Sequence, residues 1–216
     1  MRRYLDKLAW RVLLWEIEGN QVGRFDGIGL AHLRWRDDSQ ESFRKMMEEA
    51  LRLVREYDPR RYSRIKRNIK WIVNRVTDGP MGAEYFYKVR TCNIEFTAIP
   101  DLAPQIAAAF WAVILVHEAT HGVFESRGIP YIAKNRVRIE RLCTTEQNRF
   151  AAHLRASDPS RFPLARFGFG EEYWHENWTA SGSQYARALL SRWFADMKAE
   201  PGTAGNSRPA ARLIVL

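Results

Sequence analysis

Cysteine is scarce in this chain. Its 216 residues hold two, Cys92 and Cys143, and two cysteines build no disulfide framework in a protein of this size. Both are expected to be reduced and buried, as free cysteines usually are. Long apolar runs are missing too. The longest, Ile106 to Val116, is far short of the roughly 20 residues that cross a bilayer, so no membrane span is expected. The opening "MRRYLDKLAWRVLLW" lacks the form of a signal peptide. Asp6, Lys7 and Arg11 interrupt its apolar stretch, and no small-residue cleavage site follows. A soluble, cytoplasmic protein is the expectation. No repeat and no linker divides the chain. The expectation is one domain over 1–200 and a disordered tail over 201–216, where Gly, Pro and small residues dominate.

Negative charge is also in short supply. Lys and Arg number 34 against 25 Asp and Glu, a net charge of +9. That balance favours anionic partners, whether nucleic acid, an acidic protein or a membrane surface, and says nothing about fold. Hydrophobic residues make up 46% of the chain and aromatic residues 12%, enough for a sizeable core and too many for wholesale disorder.

Periodicity predicts an α+β protein, mainly helical with a small mixed sheet. Residues 4–17 read as helix or strand, and the glycines of "EGNQVGRFDGIG" break that element. Asp38 and Glu41 resemble a capping pair for a helix carrying Phe43, Met46, Met47, Ala50, Leu51 and Val54, which "DP" at 58–59 stops. Ile65, Ile69, Ile72 and Val76 predict a second helix with a basic outer face. "EYFYKVRTCNIEF", residues 84–96, predicts a strand. Apolar residues on every side predict a buried helix over about 102–126. Further helices are predicted over about 135–156 and 183–198.

The buried helix ends in "VILVHEATHGVF", residues 113–124. Residues i and i+4 share a helix face, so His117 and His121 can aim both imidazoles at one point. A catalytic zinc takes three protein ligands and leaves a fourth position open. Glu118 follows the first histidine. There it can take a proton from a water held by the metal and pass it to a leaving amine. By composition alone, H-E-x-x-H arises by chance on the order of once in a hundred such chains, so the pattern is a hypothesis until its context supports it. The context is a helix that would bury His, Glu and His at a large desolvation cost if they had no task. The bland alternative is three hydrogen-bonded polar residues at the solvent end of a helix.

HEATHG in this setting resembles the zincin superfamily of zinc metallopeptidases, over residues 84–154. The resemblance implies zinc, two histidine ligands in His117 and His121, Glu118 as general base in peptide-bond hydrolysis, and a mixed sheet beside the motif helix. The metzincin extension is absent, because Arg127 stands six residues after His121 where a histidine would be needed. That leaves a glutamate from the following helix, as in gluzincins. Glu140 lies 19 residues after His121, at a short spacing similar to that group, with the small Cys143 one turn on. Glu146 lies 25 after it and precedes "NRFAAHL", which is similar to the "NxFAxxLL" helix of ImmA/IrrE-like metallopeptidases, enzymes that cut transcriptional repressors. Six residues turn a helix by about 600°, so the two carboxylates face apart and one ion cannot use both. Glu140 is favoured as the third ligand, and Glu146 remains the alternative.

Several weaker candidates accompany these. Cys143 is a possible thiolate ligand, though unusual beside this motif. His153 reads as a core-edge histidine more readily than as a ligand. "EEYWHENW" offers Tyr173 and His175 as oxyanion donors, and Tyr131 is a lesser candidate. Cobalt, manganese or iron(II) could use the same donors as zinc. The edge of the strand at 84–96 could receive an extended peptide or protein substrate as an added strand. "RRYSRIKRNIKWIVNR", with the cations of 134–141, suggests an anionic partner. The competing function is therefore a basic nucleic-acid-associated or protein-binding module whose zinc site is structural or inactive.

Overall fold

Asp26 and Gly27 both take positive φ, 48° and 92°, the backbone of the tight turn that suits a two-residue hairpin. The glycine-rich segment ends the first helix at Gly19, as expected, and goes on to form a hairpin, β1 (Gln21–Phe25) and β2 (Ile28–His32). The chain is a computed structural model describing residues 2–34, 39–77, 82–96 and 103–164, all within one unit. The expected helix at 183–198 and the tail at 201–216 lie outside the described residues. Residues 4–17 belong to α1 (Arg2–Gly19). α2 (Gln40–Tyr57) follows the hairpin, with Ser39 at its cap position rather than Asp38, which also lies outside the described residues. α3 (Pro59–Asn68) starts at a proline, and the Asp58 side chain accepts from the Arg61 N–H. β3 (Trp71–Asn74), β4 (Ala83–Phe86), β5 (Thr91–Ile94), α4 (Pro104–Ser126) and α5 (Ala133–Ser157) complete the order.

Two expectations are corrected here. The helix drawn through Ile65, Ile69, Ile72 and Val76 stops at Asn68, and Ile69 is already extended at φ −109°, ψ 120°. Ile72 belongs to β3, every residue of which is buried. A short apolar run buried on both faces carries no period to tell strand from helix. The strand expected over 84–96 is two antiparallel strands, β4 and β5, joined by a turn at residues 87–90.

The five strands form one mixed sheet in the order β1-β2-β3-β5-β4. β2, β3 and β5 run parallel, and the two outer strands are antiparallel to their neighbours. Among the described residues β5 is thus interior and β4 is an edge. Alternation along the strands gives the sheet two apolar faces. Ala31, Trp71 and Val73 pack with Ile17 of α1. Ile28, Leu30, Ile72, Cys92 and Ile94 pack on the main core, built with α2, α3, α4 and α5. Gly29 lies under Trp71, where a Cβ would come within 2.2 Å of the indole.

α4 is the central member of that core. By length and composition it is apolar enough to cross a membrane, yet 78% of its most apolar window is buried inside the fold. Both cysteines are buried and unpaired, as expected. Gly122, one residue past the motif, lies where α4 passes close to α3 and β4. A Cβ there would stand 2.6 Å from the Asn68 Cβ and 2.9 Å from the Tyr85 hydroxyl. That hydroxyl donates to the Asn68 carbonyl at 2.9 Å. In an open helix Gly→Ala stabilises by about 0.5–1 kcal/mol. Overpacking of this kind costs about 1–3 kcal/mol, and here it wins. Gly122→Ala is expected to lower stability by about 1–2 kcal/mol in a urea melt. A more stable variant would contradict the close approach of α4.

Candidate metal centre

Residues 107–120 of α4 are buried without a break, so the polar residues His117, Glu118 and Thr120 are buried with the apolar ones, while His121 is half-buried. His117, Glu118 and Glu140 are 8%, 5% and 4% exposed. His117 and His121 stand one helical turn apart with their Nε2 atoms 3.2 Å from each other. α5 runs past the same point and supplies Glu140, whose Oε2 is 3.3 Å from His117 Nε2 and whose Oε1 is 3.6 Å from His121 Nε2. Four donors at about 2.0–2.1 Å from a tetrahedral zinc sit about 3.3 Å from one another. Two imidazole nitrogens and a carboxylate already stand at nearly that spacing. Ring nitrogens facing each other this closely share either a proton or a cation.

The electrostatics point the same way. Burial alone would raise the Glu140 pKa, but the charges and hydrogen bond of His121 and His117 outweigh it and hold the carboxyl down at about 2. Burial, with the neighbouring carboxylates Glu140 and Glu84, lifts Glu118 to about 7 despite the opposing pull of His117. His121 is pushed down to about 4 by burial, with Glu140 opposing and His117 assisting. For His117, burial is outweighed by Glu140, Glu118 and Gln147, and its pKa rises. The two histidines therefore shift in opposite directions around one carboxylate. A dication would satisfy two buried carboxyls and both imidazoles more fully than one proton does.

Three further groups line this centre. Gln147 of α5 is fully buried, and its Oε1 is 2.8 Å from His117 Nδ1. Tyr131, in the connection between α4 and α5, donates to Glu140 Oε1 and sets its ring edge-on to His121 at 5.3 Å. Cys143 forms with His117 and His121 a group whose ligand atoms lie within 4.8 Å of one another and which could hold a metal ion. Carboxylate and thiol thus compete for the third position. The Glu140 oxygens, at 3.3 and 3.6 Å from the two imidazoles, stand near the spacing an ion requires. In the metal-free centre the Cys143 thiol is pushed well above its ordinary pKa by burial and by Glu140 and Glu118, but a bound cation deprotonates a coordinating thiol, so this shift does not rank the two. Residue types and motif spacing draw attention to Glu140 but not to Gln147. The available signal is that Glu140, Cys143 and Gln147 are polar positions in the buried stripe of α5, among Ile139, Phe150, Ala151 and Leu154.

The remaining candidates separate cleanly. Glu146 faces α3, where Arg61 and Arg64 reach its Oε2 at 3.2 and 2.9 Å, while Arg149 holds Oε1 at 2.7 Å. The structure does not bring it to the histidines. The same contacts, and Lys66 on Asp26 at 3.0 Å, occupy several cations of the basic segment in ion pairs. His153 is exposed and contacts the Tyr57 carbonyl at 2.9 Å, tying α5 to the end of α2. Tyr173 and His175 lie outside the described residues. β4, the sheet edge, packs beside α4.

Comparison with protein-family models, with curated proteins and with solved structures finds no match for this chain. The site geometry therefore carries the functional argument alone.

Glu146 separates structural from metal roles. Burial opposes its ionisation, but Arg149, Arg64 and Arg61 hold its pKa below the ordinary carboxylate value. A depressed folded pKa adds stability that is complete above the unfolded value and fades as pH falls through the folded one. Glu146→Gln is expected to cost about 1–3 kcal/mol at pH 7. That difference should shrink in melts below about pH 4, with metal content unchanged. A variant that loses metal would reverse the assignment of Glu146.

Proposed function

We propose that this chain is a zinc-dependent metallopeptidase of zincin type, with zinc held by His117, His121 and Glu140 and with Glu118 as general base. The observation that carries this is the convergence of His117 Nε2, His121 Nε2 and the Glu140 carboxylate: 3.2 Å between the nitrogens, 3.3 Å from His117 to Oε2 and 3.6 Å from His121 to Oε1. Two imidazoles and a carboxylate suit zinc, and three donors leave one position open. Zinc bound there supplies Lewis acidity toward a carbonyl and toward water.

The chain's own residues supply the remaining steps. Glu118 follows His117 directly and is buried beside the donors. Its carboxylate takes a proton from the attacking water as the new C–O bond forms. It then gives that proton to the amine nitrogen as the C–N bond breaks, so the proton count closes without another acid. Tyr131 holds Glu140 through its hydroxyl and fixes the direction of the carboxylate. β4 offers an edge strand beside the motif helix, and an extended peptide or protein substrate added to it would lie alongside α4.

Glu118→Gln is the decisive variant, because it keeps shape and hydrogen bonding while removing the base. Cleavage of a fluorescently labelled unfolded protein is expected to fall by about 10²–10⁴-fold, with zinc content unchanged. Equal cleavage by the variant would remove Glu118 from the chemistry. Retained zinc without cleavage by either protein would favour the competing reading, a structural or inactive zinc site in a binding module.

A further inference from the structure

Taking the metal site above as its basis, we infer that Gln147 is the positioning residue of the centre: it fixes His117 as the Nδ1–H tautomer and so presents Nε2 to the ion. Both ring nitrogens of His117 are engaged by α5. Glu140 Oε2 stands 3.3 Å from Nε2, and Gln147 Oε1 stands 2.8 Å from Nδ1. One helix face supplies both groups because they are seven residues apart, within about 20° of two full turns. The carboxylate reaches the metal side of the imidazole and the amide reaches its back.

Packing alone does not account for an amide at this position. Gln147 is 0% exposed, and its Nε2 is buried without a hydrogen-bond partner. A buried donor left unmade costs about 1–3 kcal/mol. A leucine of similar size would fill the position without that cost. What leucine cannot do is accept from Nδ1–H. A histidine ligand whose far nitrogen is not held can place its proton on either side of the ring, and only one placement frees the nitrogen that faces the ion. The acceptor here is also neutral. Glu118 and Glu140 already put two carboxyls in this buried space, and a third charge would add like-charge repulsion.

The test uses the full chain, wild type and the variants Gln147→Leu and Gln147→Glu, with zinc as the metal. Long-range ¹H–¹⁵N spectra of the metal-free proteins, taken at alkaline pH where the His117 ring is neutral, report its tautomer, and competition against a chromogenic chelator reports zinc affinity. The Nδ1–H form is expected to dominate in wild type and to lose that dominance in Gln147→Leu. Zinc affinity should fall about 10–100-fold, while the melting temperature stays level or rises. Gln147→Glu, which keeps an acceptor, should restore the Nδ1–H form. Unchanged tautomer and unchanged zinc affinity in Gln147→Leu would overturn the inference. A lowered melting temperature with neither of the other changes would overturn it too, in favour of a packing role. A wild type that binds no zinc yet shows the tautomer shift would defeat the metal reading and leave the orientation of His117 by Gln147 standing.

Discussion

The architecture depends on one constraint: α4 is apolar around its whole circumference and must be covered on every side. α2, α3, α5 and the sheet do this. Enclosing α4 also encloses His117 and Glu118, which follow its apolar half without a break. Polar groups taken out of water need partners, and α5 is the element that supplies them. The pairing of α4 with α5 is therefore both the packing solution and the origin of the site. An α5 rotated by one residue, about 100°, would turn Glu140 and Gln147 away from His117.

α5 itself is divided by face. Its inward stripe carries Ile139, Glu140, Cys143, Gln147 and Phe150, and its flank toward α3 carries Glu146. The inward stripe holds the histidines, and the flank locks α3 onto α5 through arginine. The ordinary ion-pair chemistry of Glu146 thus supports the register that places Glu140. The strong basic character of residues 60–70 is in part this internal wiring, since Arg61, Arg64 and Lys66 all have acidic partners.

How much of this is legible in the sequence follows from physical reasons. The motif helix and the helix after it lie close to their expected bounds, because both are long and strongly patterned. Helical phase alone separates Glu140 from Glu146, although phase does not say which faces the histidines. The sheet is the harder part. Asp26-Gly27 is a strong turn signal in retrospect, masked by three other glycines nearby. "WIVN" is too short and too uniformly buried to show a period. The β4–β5 turn, Tyr87 to Arg90, contains no glycine, proline or asparagine, and Arg90 carries the positive φ of 53° itself. Its carbonyl accepts from the Lys70 N–H at 2.7 Å, a tertiary contact that no local pattern announces. Helical phase puts Gln147 on the Glu140 face, but its role is hidden for a similar reason: an amide in a polar-rich helix gains a role only once its neighbour is known to be His117.

The central claim is that α4 and α5 together hold one metal ion. Elemental mass spectrometry on purified protein, after zinc is supplied and the excess washed away, tests it most directly. The account predicts about one zinc per chain in wild type, lost in His117→Ala and in Glu140→Gln. Wild-type protein without metal, or a zinc that survives both substitutions, would contradict it.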